Sequence, residues 1–214
     1  MSSAYSFSTA CTRCDRLAGF LAEVRTSHPD YFARPVPSFG PESPRLLVVG
    51  LAPGMHGANA SGRPFTGDYA GVLLYETLHA FGFASRPESV AADDGLELLD
   101  CRITNAVRCL PPQNKPVGAE VNACNDYLAE ELAALRPGSV VLALGLVAHN
   151  AVLKALAVRK VDHKFGHGSD YVLPGELRFL SSYHCSRYNT NTNRLTPEMF
   201  ADVFRAAREH IDNL

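Results

Sequence analysis

Nowhere in the 214 residues is there an unbroken apolar run of about 18, the length a membrane-crossing helix needs. The opening stretch, MSSAYSFSTACTRCDRL, has neither the apolar core nor the cleavage signature of a secretory leader. These two absences predict a chain that works in the cytoplasm with no membrane partner. An excess of positive charge is missing too, since 20 Lys and Arg stand against 22 Asp and Glu, a net of −2. That counts mildly against a nucleic-acid partner, although a local basic stripe can carry such contacts on a neutral protein. There is also no repeat, no low-complexity tract and no interdomain linker.

Two nucleotide-binding signatures are absent from the loop where they would be sought. Residues 48–68 read VVGLAPGMHGANASGRPFTGD, a strand running into glycines. Gly57 and Gly62 have P-loop spacing, but Arg63-Pro64 stands where Lys-Ser/Thr is required, and the dinucleotide pattern G-x-G-x-x-G does not occur. This disfavours a nucleotide hydrolase. From Val48 to Gly67 there is no carboxylate either, and Asp68 is the first one reached.

What is present suits one domain with a substantial core: 46% of residues are hydrophobic and 20% charged. Prolines 29, 35, 37, 41 and 44 make the region from about 27 to 44 an extended surface connection. Four short, continuous apolar runs follow, at 45–50, 101–107, 139–145 and 177–184, as expected of strands covered on both faces. Helical patterns lie at 68–83, with Asp68 as N-cap, at 118–138, at 146–158, and at 196–214, where Thr196 caps and Pro197 takes the first helical position. The alternation predicts an α/β fold, a three-layer α/β/α sandwich around a mainly parallel four-stranded sheet. Ligands then sit at the carboxyl ends of the strands, which gathers the residues after Gly50, the Asn105 region and His184 on one rim.

Six cysteines in a reducing compartment are read as ligands or as small buried groups. Cys11 and Cys14 form C-x2-C in a polar segment with nothing apolar to explain burial, and Cys109 and Cys124 can complete a four-thiolate set. Ligand count alone leaves zinc and an iron–sulfur cluster both open. Cys101 and Cys185 are assigned to packing. A Cys185–His184 nucleophile pair is disfavoured because neighbours on a strand point to opposite faces.

Taken together, GLAPGMHGANASGRPFTGD, TNAVRCLPPQNKP with Cys124, SYHCSRYNTNTNRLTPEM and the N-terminal CTRC resemble the family 5 (iron–sulfur, type B) uracil-DNA glycosylases of bacteria and archaea. The motifs run from residue 11 to 199 in the family's order. The sequence departs from the family pattern in three places. Asn59-Ala60-Ser61-Gly62-Arg63 replaces Asn-Arg-Thr-Gly-Arg, Cys185 follows His184 where Pro or Val is usual, and Tyr188 stands where Gln is usual. The resemblance implies one domain over 1–214 with a cluster-ligand segment at about 1–44. It also implies a [4Fe-4S] cluster on Cys11, Cys14, Cys109 and Cys124, and a monomer associated with the nucleoid. The implied activity is monofunctional excision of uracil from DNA in base excision repair, extending to hypoxanthine, xanthine or etheno-bases.

Residue roles follow from that chemistry, in which a flipped base must be held, identified, and stabilised as it leaves with negative charge. Phe65 is the flat partner. Asn105 can donate to O4 and accept from N3–H, which separates uracil from cytosine. His184 donates to O2 as charge develops, and donors of this kind are worth about 10²–10³ in rate. Leu51 and Ala52 fill the place where other glycosylases carry an acidic or amide residue and are assigned to substrate binding. Asn59 is the first candidate for positioning water and Asp68 the second; an Asn can orient water but cannot act as a general base. Arg63, Arg187 and Arg194 are assigned to DNA phosphates, and Tyr188 to the gap left by the flipped base. The alternative is a non-catalytic, cluster- or zinc-stabilised DNA-binding module on the same fold, a reading supported by the missing carboxylate.

Overall fold

In the computed structural model, which describes residues 7–214, the apolar runs form strands and the periodic segments form helices. Strands β1 (Leu46–Gly50), β2 (Cys101–Asn105), β3 (Val140–Leu144), β4 (Ser169–Leu173) and β5 (Leu177–Ser182) make one sheet in the order β2-β1-β3-β5-β4. The helices are α1 (Asp15–Ser27), α2 (Ala58–Ser61), α3 (Tyr69–Ala80), α4 (Gly118–Ala133), α5 (Leu146–Ala155), α6 (Arg187–Asn191) and α7 (Pro197–Asp212). Four strands are mutually parallel, as expected.

The fifth strand, β4, corrects the expected count: it pairs antiparallel with β5 at the sheet edge. It was not anticipated because its burial alternates instead of running continuously. An edge strand with one wet face carries the period-two signal of a solvated sheet, not the apolar run of a covered one.

The three layers are legible in β1 alone, where successive side chains alternate between faces. Leu46 and Val48 pack with Leu74, Leu78, Phe200 and Phe204 of α3 and α7. Leu47 and Val49 pack with Leu128, Leu132, Ala148 and Val152 of α4 and α5. Both expected caps are in place: Asp68 accepts from Gly71 N at 2.9 Å and Thr196 from Met199 N at 3.2 Å.

Helix α1 was not anticipated from the sequence. It buries Leu17, Leu21 and Val24 against Val107, Leu110 and Tyr127, forming a separate small core beside the main sandwich. Arg16 clips it to α4 by donating to both carboxylate oxygens of Glu120, at 2.7 and 2.8 Å. The proline-rich connection then runs along the loops, with Phe39 bridging to Ile103 of β2.

Candidate active site

Because β1, β2, β3 and β5 are parallel, their carboxyl ends lie on one rim, and a cleft of about 720 Å³ opens there. Gly50 ends β1 directly opposite Asn105, which ends β2. A Cβ on Gly50 would stand 2.4 Å from Asn105 Oδ1 and 2.7 Å from the Phe65 ring. Glycine there lets the amide and the aromatic ring close on the same strand end. The Leu51 and Ala52 segment that follows lines the cleft.

Phe65 forms one wall, with its ring buried, and takes a left-handed φ of 56°. That conformation costs a non-glycine residue about 1–2 kcal/mol, so its neighbours must hold it. Tyr75 Oη donates to the Pro64 carbonyl at 2.8 Å on one side. On the other side Arg63 Nε donates to Thr66 Oγ1 at 3.0 Å. The Phe65 and His184 rings are nearly parallel, with centroids 5.9 Å apart.

Asn105 is 4% exposed, and its Oδ1 is buried with no hydrogen-bond donor. An unpartnered buried amide oxygen costs about 1–3 kcal/mol, so one that lines a cleft is a seat for a ligand's N–H. His184 lies two residues beyond the end of β5, and its backbone carbonyl accepts from Asn189 Nδ2 at 2.8 Å. Burial pushes its imidazole down to about 4, so the ring is neutral at physiological pH and offers one N–H. Cys185 points into the core and its Sγ donates to the Ala70 carbonyl, which fits the packing role expected of it.

Asp68 supplies the carboxylate that residues 48–67 lack. Its Oδ1 caps α3, while its Oδ2 faces Gly54 and Gly57 across the cleft wall. A Cβ on Gly57 would stand 2.6 Å from the Asp68 Cβ, so this approach also depends on glycine. Burial raises the Asp68 pKa, against the opposing pull of the Gly71 and Ala70 amides.

Two expected site residues are buried away from the cleft. Asn59 is fully buried below it; its Nδ2 reaches only the Met55 carbonyl at 3.4 Å, and it is not among the residues lining the cleft. Its backbone accepts from Ala33 N, tying the proline-rich connection down. Arg63, assigned to DNA phosphates, is 4% exposed and ion-paired to Asp94 at 2.5 Å, with a further bond to Ser89 Oγ at 2.7 Å. The guanidinium is therefore a clamp between the Phe65 turn and the loop at 85–98, not a phosphate contact. Nothing in the local sequence announces Asp94, 31 positions away.

Of the other residues assigned to DNA contact, Arg187 lines the cleft, whereas Tyr188 and Arg194 do not. Arg187, exposed on α6, lines it, with its guanidinium 5.0 Å from the Tyr69 ring centre. Tyr188 is 72% exposed. Arg194 lies over Tyr183 at 4.6 Å. The exposed apolar residues Leu146 and Val147, which open α5, also line the cleft and were not anticipated. The signal that could have found them is positional, a helix starting one residue after a strand end on the ligand rim.

Cys11, Cys14, Cys109 and Cys124 converge on one small pocket beside α1, bounded also by Arg13 and Tyr127. All four thiols are free. Burial, and then the neighbouring Cys124 and Glu120, push the Cys14 thiol up to about 11. Cys109 is raised in the same way, by burial and then by the other three cysteines. Among the described residues no three ligating side chains stand at the spacing of a single metal ion's ligands.

Residues 37–208 match the family described as the uracil DNA glycosylase superfamily. A type-5 uracil-DNA glycosylase of Thermus thermophilus is 48% identical over 205 residues, covering 94% of this chain and 93% of that protein. One from Pyrobaculum aerophilum is 44% identical over 201 residues, covering 92% and 87%. A type-4 uracil-DNA glycosylase of Archaeoglobus fulgidus is 36% identical over a shorter stretch, 64% of this chain and 55% of its own length.

Proposed function

The chain belongs to the uracil-DNA glycosylase superfamily and to its type-5 group, and we propose that the strand-end cleft excises flipped bases from DNA with Asn105, His184, Phe65 and Asp68 as its working parts. The enzyme is a hydrolase of the N-glycosidic bond to uracil, acting in DNA repair. The observation that carries the site assignment is the buried, donor-free Oδ1 of Asn105 in a cleft walled by Phe65 and His184. It accepts N3–H of uracil while the same amide donates to O4. Cytosine, with an unprotonated N3 and an amino group at C4, presents the reverse pattern and is rejected.

In this reading the base stacks on Phe65 and the glycosidic bond breaks with its electron pair moving to N1. Charge accumulates on O2, where the neutral His184 imidazole donates its N–H. A neutral donor fits because it stabilises the anion without first needing to be protonated. Asp68 replaces Asn59 as the group that orients water. Its carboxylate accepts the proton as the water oxygen bonds to the sugar C1′, and its raised pKa brings it closer to the operating range of a general base. Residues 48–67 bring no carboxylate to the cleft beside Leu51 and Ala52, and the cleft is larger than one pyrimidine ring needs. That room supports acceptance of hypoxanthine, xanthine and etheno-bases.

Cys11, Cys14, Cys109 and Cys124 are read as ligands of a [4Fe-4S] cluster. Their fit rests on four thiols facing one pocket and disfavouring one another's ionisation, an arrangement that a cationic centre relieves. When bound, the cluster supplies a structural tie between the N-terminal segment, α4 and the end of β2, and no step of the reaction passes through it.

The test is release of uracil, read as alkali-labile sites in a uracil-containing duplex, with wild type and His184→Ala compared in single turnover. Cleavage lost in the variant with DNA binding retained supports the reading. A wild-type preparation that binds DNA and releases no base overturns it in favour of a non-catalytic DNA-binding module.

A further inference from the structure

Beside the cleft, on the side away from α6, stand three rings that the reaction does not use. Tyr31, in the proline-rich connection, donates or accepts at 2.8 Å with Nδ1 of His56, and His56 lines the mouth of the cleft. His28 lies against Tyr31 with centroids 4.6 Å apart and an interplanar angle of 33°, and the Tyr31 and His56 rings meet edge to face at 6.0 Å. None of the three is buried, and His56 is exposed. Tyr31 rests in part against the small core beside α1, which leaves part of its ring and the two imidazoles open at the ligand rim, and such a half-open aromatic group needs a reason.

The sheet order says where this trio stands. His56 follows β1 and Arg187 follows β5, and β3 lies between those strands. The strand ends that lead to the two rims are thus two strand spacings apart, about 10 Å, with the cleft opening across them. A strand whose base enters the cleft must leave it across both. The α6 rim carries Arg187 and Tyr188. Beside Tyr31 in the chain, Asp30 and Arg34, both exposed, offset one another in charge, so this flank adds aromatic surface without net positive charge.

We propose that His28, Tyr31 and His56 form a base-stacking platform for an unpaired nucleotide next to the flipped one, so that the enzyme grips single-stranded DNA on this side by stacking and not by phosphate charge. The assignment rests on the glycosylase reading for the direction of the strand, and on the structure for the rings.

The probe is a fluorescent single strand of about 16 nucleotides, the upper end of a single-strand footprint. It carries one 2′-fluoro-deoxyuridine, whose glycosidic bond resists cleavage. Loss of one stacked base predicts that Tyr31→Ala weakens binding about five- to hundred-fold. The salt dependence should not change, whereas Arg187→Ala should flatten the slope by about 0.7. Tyr31→Phe removes the bond to His56 but keeps the ring, and binding should stay within about twofold of wild type. Shortening the strand stepwise from each end should cost the wild type at one end only, and Tyr31→Ala should be indifferent to that end.

Equal losses in Tyr31→Phe and Tyr31→Ala would overturn the platform and leave only a staple for the connection. So would unchanged binding in a Tyr31→Ala variant that melts like wild type. A wild type that shows this binding contrast yet releases no uracil from a cleavable strand would overturn the enzymatic reading and leave the stacking assignment standing.

Discussion

Five residues, 105–109, serve two regions that are finished in opposite ways. Asn105 points an unpaired oxygen into a cleft of about 720 Å³, while Cys109 lines a pocket with only about 10 Å³ of free space. The stretch between them is held by backbone bonds from Ala106 N to the Gly50 carbonyl and from Val107 N to that of Leu51, at 2.9 and 3.0 Å. Arg108, also buried, pairs with Glu131 at 2.7 Å. On the proposed reading, the open side takes a transient ligand and keeps space and an unsatisfied group for it, whereas the closed side holds a resident one. The same segment is thus closely packed on the cysteine side and open on the cleft side.

The sharpest way to test this contrast is to remove one group from each region. His184→Ala should cost about 10²–10³ in single-turnover cleavage with little change in DNA binding or melting temperature. Cys109→Ser should do the reverse, lowering iron content, visible colour and soluble yield. A Cys109→Ser protein that keeps a full complement of iron would break the ligand set, and zinc in place of iron in the wild type would break the cluster assignment.

Asp68→Asn comes next, with a predicted loss of about 10²–10⁴ as for a general base. The wild-type rate should fall as pH drops through a point above the ordinary carboxyl value, because burial raises the Asp68 pKa, and the variant should lack that limb. An Asp68→Asn enzyme with the wild-type rate and profile would return the water to some other group.

Asp94→Asn addresses the clamp on the Phe65 turn. Burial opposes ionisation of this carboxyl, but Arg63 and the amides of Leu96, Val90 and Ala91 outweigh it and hold the group below the usual carboxylate range. Breaking the buried pair should cost about 3 kcal/mol of stability, read by denaturant unfolding. It should also reduce cleavage through loss of the left-handed Phe65 position.

The smallest effect is the contribution of His184 to acid stability. Its folded value of about 4 lies below the ordinary 6.5, so its neutral form stabilises the fold fully above about pH 6.5. That contribution is lost as pH falls from there towards 4. His184→Asn should remove this part of the slope from a stability–pH curve.

How much was legible in advance varies with the range of the interaction. The rim positions of Asn105 and His184 were readable because each lies towards the end of a strand-like run, and parallel strands bring their carboxyl ends together. Phe65, in the loop before Asp68, and the roles given to all three rested largely on the family resemblance. The cysteine set was readable as a set of four because C-x2-C in a polar segment has no packing explanation. Asn59 and Arg63 were misplaced for a common reason. Both sit in a loop that looks functional, but the backbone turns them inward, to the Met55 carbonyl and to Asp94. A side chain's direction in a glycine-rich loop depends on dihedral angles that the residue names do not specify. Strand β4 was missed because half-wet edges carry a weaker hydrophobic signal.

The sequence by itself determined the parallel sheet, the rim on which the site sits, and the residue types available for amide recognition, anion stabilisation and thiolate ligation. These follow from hydrophobic periodicity and strand-end rules, which act over a few residues. Between the two candidates for positioning water, tertiary structure decided which one reaches the cleft: Asp68 lines it, because Gly57 leaves room for its side chain, whereas Asn59 is buried away from it. It also turned Arg63 into a clamp and set His28, Tyr31 and His56 side by side across 28 positions of sequence. Contacts of that kind depend on where the chain returns, and the return is fixed by packing of the whole core.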